Sequence, residues 1–290
     1  MSETAVGLAA GDARLKIARR GAEAIAWSVG GVELLWPGDP AIWNEISPIL
    51  YPVVGWTRDG VRVGGRSYPL RLHGFAAAED FALEAAEGAF ARLTLRDTER
   101  TRALYPFAFA FAVEYRLVGA ALEMTLEVAN PGDAPVPYAC GLHPGFRWPF
   151  AGAERAGAGV QFERDEPAVA PRIAPGGLIA AETRPIPLHG RTLPLDDALF
   201  ADDAVCFLEP ASRSLRFEQA DGSAIEMDFA GFGRAALWTR PGAPFLCLEA
   251  WTGYGDPEGF AGDLFEKPAM RTLAPGERAR HRALYRYFAA

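Results

Sequence analysis

The chain alternates. In "FAFAFAVEYRL" the residues Phe107, Phe109, Phe111, Val113, Tyr115 and Leu117 fall at every second position, which in an extended strand places them on one face. "LEMTLEV" repeats the pattern: Leu122, Met124, Leu126 and Val128 are set against Glu123, Thr125 and Glu127, one dry face and one wet face. The tail "RALYRYF" alternates again. Gly64-Gly65 in "VRVGGRSYPL" and Asp221-Gly222 in "LRFEQADGSAIEMDF" separate short apolar runs with dipeptides that suit hairpin turns. Few stretches show a helical period, and 31 glycines and 23 prolines break the chain at short intervals. The pattern predicts an all-β protein, a large antiparallel β-sandwich formed as a single domain over residues 1–290. The Ala/Gly/Pro-rich region 152–177 reads as a long surface excursion, because the strand patterns on either side of it look alike. There is no internal repeat, charge block or low-complexity linker.

Composition narrows the partners. Half of the residues are hydrophobic, enough for a sizeable core. With 29 basic and 37 acidic side chains the net charge is −8, which disfavours nucleic acid and anionic membrane, since both demand basic surface. Cys140, Cys206 and Cys247 are an odd set without CxxC spacing. They read as reduced thiols of a cytoplasmic protein, not as a disulfide framework or zinc site. No apolar run approaches the roughly 20 residues of a spanning helix, and the N-terminus lacks the basic start and apolar stretch of a signal peptide. Oligomeric state is not legible.

Three polar residues sit inside apolar or aromatic segments: His73 in "LRLHGFA", His143 in "CGLHPGFRWPF" and Glu249 in "PFLCLEAWTGYGD". A carboxylate is expensive to bury without a partner or a task, and desolvation pushes its pKa toward the range useful to a general base. Each residue taken alone also suits a structural role: a hydrogen-bonded histidine, a turn cap, an ion-paired glutamate. Two histidines and a glutamate are also potential metal ligands, but no HxH or HxxxH spacing supports a metal site.

The segments "GDPAIWNEISPILYPVVG", "LHGFA", "GLHPGFRWPF", "FLCLEAWTGYGD" and "FEKPAMRTLAPGE", in that order, resemble the aldose 1-epimerases, or galactose mutarotases, and within them the LacX-like branch. The resemblance runs over residues 15–287. It implies a galactose mutarotase-like β-supersandwich and the interconversion of α and β anomers of a free sugar without a cofactor. By motif it implies His73, His143 and Glu249 as the catalytic residues. Glu249 would take the proton of the C1 hydroxyl, protonated His143 would supply one to the ring oxygen, and His73 would polarise the ring-oxygen side. It further implies a sugar-binding aspartate, for which Asp197 of "DDALF" is the candidate alongside the neighbouring Asp196. Trp148 and Trp251 are candidates for the aromatic surface against the sugar.

The chain also departs from this pattern. Relatives commonly carry an arginine just before the "SPILYPVVG"-type segment, where Asn44 and Glu45 stand here, and Ala77 follows "HGFA" where another arginine is common. Arginine binds phosphate through paired hydrogen bonds that alanine cannot make. These losses weaken a hexose-6-phosphate 1-epimerase reading unless Arg58, Arg71 or Arg147 compensates. A carbohydrate-binding protein without efficient catalysis is the alternative from another class, and a polysaccharide-active enzyme would need a longer groove and extra domains.

Overall fold

The computed structural model describes residues 5–290. Its strand-to-strand ladders are all antiparallel. The two predicted strands pair with each other, Ala110–Val118 against Ala121–Ala129, in the middle of a nine-stranded sheet. The alternation is realised residue by residue: Phe111, Val113, Tyr115, Leu122, Met124, Leu126 and Val128 are all buried. The C-terminal strand Arg278–Phe288 lies beside Ala121–Ala129, and the hairpin across Asp221-Gly222 joins Ser214–Glu218 to Ala224–Asp228. Gly64 and Gly65 both have positive φ, 55° and 76°, at the turn between Val61–Val63 and Arg66–Tyr68, the backbone that a two-residue hairpin loop requires.

A six-stranded sheet packs on the dry face. The hydroxyl of Tyr285, from the nine-stranded sheet, donates to the carbonyl of Leu248 in the other, and its ring packs on Phe146. The two layers thereby enclose one aromatic core.

Two expectations need correction. The second face of Ala121–Ala129 is not simply wet: Thr125 and Glu127 are buried. Arg92 and Arg280 reach over that face and bond Glu127 at 2.9 and 2.7 Å, covering it. Region 152–177 is also not a plain excursion. It contributes the strand Gly159–Phe162 to the nine-stranded sheet, and Val169–Ala174 pairs with Leu178–Pro185 in a separate hairpin. Ala, Gly and Pro are poor reporters of alternation, so these strands left little trace in the pattern.

All three cysteines are buried and unpaired. Among the described residues, no helix is long and apolar enough to cross a membrane.

Candidate active site

Glu249 lies on the strand Phe245–Trp251, every residue of which is buried. This strand pairs along one edge with Arg234–Trp238 and along the other with two short segments, Gly141–Leu142 and Gly145–Arg147. His143 and Pro144 occupy the gap between those segments, where the Pro144 carbonyl accepts from Leu248 N–H. Interrupting the ladder there puts the His143 ring beside the Glu249 carboxyl, with Nε2 3.2 Å from Oε2.

His73 arrives from the other side. Its φ is +60°, and the next residue, Gly74, has φ +79°. A Cβ on Gly74 would come 2.2 Å from the Tyr51 carbonyl oxygen, so the "HG" pair follows from a backbone pressed against Tyr51. The backbone N–H of Gly55 donates to His73 Nδ1 at 3.0 Å. That bond assigns the ring proton to Nε2 and makes His73 a neutral donor. The two imidazoles meet edge to face, 5.5 Å between centroids.

These three side chains line one cavity of about 450 Å³, with Asn44 and Trp251 on its wall. The Trp251 indole N–H donates to Glu249 Oε2 at 3.0 Å. Among the described residues Glu249 Oε1 carries no hydrogen bond, so one carboxyl oxygen is engaged and the other is available to a ligand. Burial pushes the Glu249 carboxyl well above its ordinary value, against the Trp251 bond and helped by the nearby charge of Asp203. Burial lowers His143 to about 4, and burial together with His143 lowers His73 well below its usual value. Desolvation thus favours a neutral imidazole beside a protonated carboxyl. Among the described residues no three His, Cys, Asp or Glu side chains are gathered as a metal site.

Other expected contacts lie elsewhere. Asp197 is exposed and outside the cavity, held by Arg155 at 2.5 Å and by the Gly242 N–H at 2.9 Å. Asp203 occupies the cavity wall instead. Trp148 is core: it meets Phe217 edge-on, and Arg155 covers its ring at 3.7 Å. Arg58 is exposed and borders a separate cavity beyond Trp56. Trp251 does line the cavity, but most of the aromatic surface comes from residues that the motifs did not single out. Trp43 lies 5.3 Å from the His143 ring, Trp238 meets His143 edge-on, and Trp56 lines the cavity as well. With Trp251, four of the seven tryptophans line this cavity, a concentration that composition hinted at without locating. Arg240 is the cationic side chain at the rim, and Glu45 lines the cavity as well.

A protein from Lactococcus lactis subsp. lactis, LacX (chromosomal), is 29% identical over 257 residues, covering 84% of this chain and 86% of that protein. A galactose mutarotase related enzyme from Lactobacillus acidophilus superposes with TM-score 0.90 at 25% identity, covering 98% of this chain and 97% of the other. A galactose mutarotase-like protein from Lactobacillus casei gives TM-score 0.91 at 25% identity, covering 98% and 100%. The expected galactose mutarotase-like fold is thus the observed one. The sequence model of the family described as aldose 1-epimerase matches residues 5–286, and the chain belongs to that family.

Proposed function

We propose that the protein interconverts the α and β anomers of a free aldose. The observation that carries this reading is the 3.2 Å contact between Glu249 and His143 on the cavity wall. Ring opening removes a proton from the C1 hydroxyl and adds one to the ring oxygen. Both oxygens are bonded to the same carbon, so base and acid have to stand side by side. Glu249 and His143 do.

One proton shared by the pair completes a cycle. With the proton on His143, Glu249 takes the hydroxyl proton through its unoccupied oxygen while His143 protonates the ring oxygen. The ring opens, the C1–C2 bond turns, and the pair now holds its proton on the carboxyl. That form drives closure: Glu249 returns a proton to the aldehyde oxygen and His143 accepts one from the chain hydroxyl. Transfer across the contact also interconverts the two forms. Burial favours the closing form. His73, through Nε2–H, supports the negative charge that develops on the ring-oxygen side.

The cavity favours an unphosphorylated sugar. Arg240 shares the cavity lining with Glu45 and Asp203, and a phosphate needs an excess of donors. Freshly dissolved α-glucose, α-galactose and glucose 6-phosphate, followed by polarimetry and NMR exchange, test the reading. The free aldoses are expected to equilibrate much faster than in buffer, and the phosphate more slowly than its parent. Rates equal to buffer for every sugar would reject catalysis and leave a binding role.

A further inference from the structure

The cavity does not end at Trp238. It borders a second one of about 630 Å³, and the two share Ile173, Gly177, Asp203, Trp238 and Arg240. Arg172, Asp202 and Thr239 line only the second. One wall is the tip of the hairpin Val169–Ala174 / Leu178–Pro185, at residues 174–177.

We propose that this second cavity receives the next ring of a reducing disaccharide whose aldose end sits over Glu249 and His143. The inference rests on the anomer-exchange reading for the orientation of the sugar, but the subsite itself rests on the cavity's chemistry. Two arginines, Arg172 and Arg240, stand among two aspartates, Asp202 and Asp203. Donors and acceptors are mixed with no net charge, which suits a neutral polyol and not an anion. Arg172 Nη1 and Asp202 Oδ2 are 4.0 Å apart, with half or more of each side chain exposed. That spacing is too long for a hydrogen bond, so both groups remain available to sugar hydroxyls.

Trp238 stands at the junction. It meets His143 edge-on at 5.7 Å on one side and borders the second cavity on the other, so its ring can pack against the C–H faces of adjoining sugars. The hairpin tip leaves the junction open. Gly177 has φ +75°, and a Cβ there would come 1.8 Å from Trp56 Cδ1. Glycine therefore lets the tip lie flat on Trp56 without a side chain in the passage.

The test is binding, read by tryptophan fluorescence or calorimetry, together with anomer exchange of the same sugars. Glucose is compared with cellobiose, lactose, maltose, melibiose and glucose 6-phosphate. At least one disaccharide is expected to bind about tenfold more tightly than glucose, about the net worth of one hydrogen bond to a charged side chain. Arg172→Ala and Asp202→Ala are expected to remove most of that gain and leave glucose binding and exchange unchanged. The proposal is overturned if no disaccharide outbinds glucose, if the gain survives both substitutions, or if glucose 6-phosphate gains as much through Arg172. Disaccharide binding through these residues without exchange of any sugar would sink the catalytic reading and leave the subsite standing. Rapid glucose exchange without a disaccharide gain would do the reverse.

Discussion

Two buried glutamates on adjacent layers of this protein have been driven in opposite directions. Glu127, on the nine-stranded sheet, lies between Arg92 and Arg280, and both of its oxygens bond a guanidinium. Burial pushes its carboxyl up, but the hydrogen bonds and charges of the two arginines outweigh burial and hold it below the ordinary value. Glu249, on the six-stranded sheet, has an indole N–H and a neutral imidazole on one oxygen and nothing on the other. Burial wins there, and its carboxyl rises. Burial alone therefore does not mark a functional carboxylate. What separates the two is the presence or absence of a compensating cation, and an oxygen left for a ligand.

The sharpest way to break this contrast is to make the same substitution in both places. Glu249→Gln is expected to slow anomer exchange by about 10²–10⁴-fold, the usual worth of a positioned proton-transfer group. Glu127→Gln is expected to leave exchange intact and instead lower stability by about 1–3 kcal/mol, as charge-assisted bonds to both arginines are weakened. NMR exchange and urea unfolding of both variants check this. Comparable loss of exchange in the two would erase the distinction.

A smaller effect sharpens it with a histidine remote from the cavity. His281 donates from Nδ1 to the Gly231 carbonyl and accepts the Tyr138 hydroxyl at Nε2, at 3.0 and 2.9 Å. Burial lowers it to about 4, outweighing the raising effect of the Gly231 bond. The unfolded chain binds a proton at this site from about pH 6.5 downward, whereas the folded protein does so only near 4. Its stabilising contribution is therefore complete above about pH 6.5 and lost as pH falls toward 4, by at most about 3 kcal/mol. Urea midpoints at pH 7 and 5 should fall less in His281→Gln than in the parent. An equal fall in both would remove His281 as a source of the acid sensitivity.

The legible parts of the sequence were those where side-chain chemistry opposed its surroundings. His73, His143 and Glu249 were conspicuous as polar groups among apolar neighbours, and the structure brings all three to one cavity. Asp203 and Arg240 were not, because they stand in exposed loops where a charged residue is unremarkable. Asp197 lies outside the cavity, where Arg155 and the Gly242 N–H claim its carboxylate, and local pattern says nothing about which loop turns inward. The hairpin at 169–185 was hidden for a different reason. Its strands carry Ala and Pro and bury few side chains, so no alternation reports them, although they build one wall of the cavity.

The proposed catalysis turns on where the proton of the Glu249–His143 pair resides. Carbon-13 NMR of the Glu249 carboxyl, assigned by its loss in Glu249→Gln, and nitrogen-15 NMR of His143 would locate it in the sugar-free protein at pH 6. A protonated carboxyl beside a neutral imidazole is expected, while Glu127 in the same sample stays ionised. An ionised Glu249 facing a protonated His143, an ordinary ion pair like the one Glu127 makes, would contradict it.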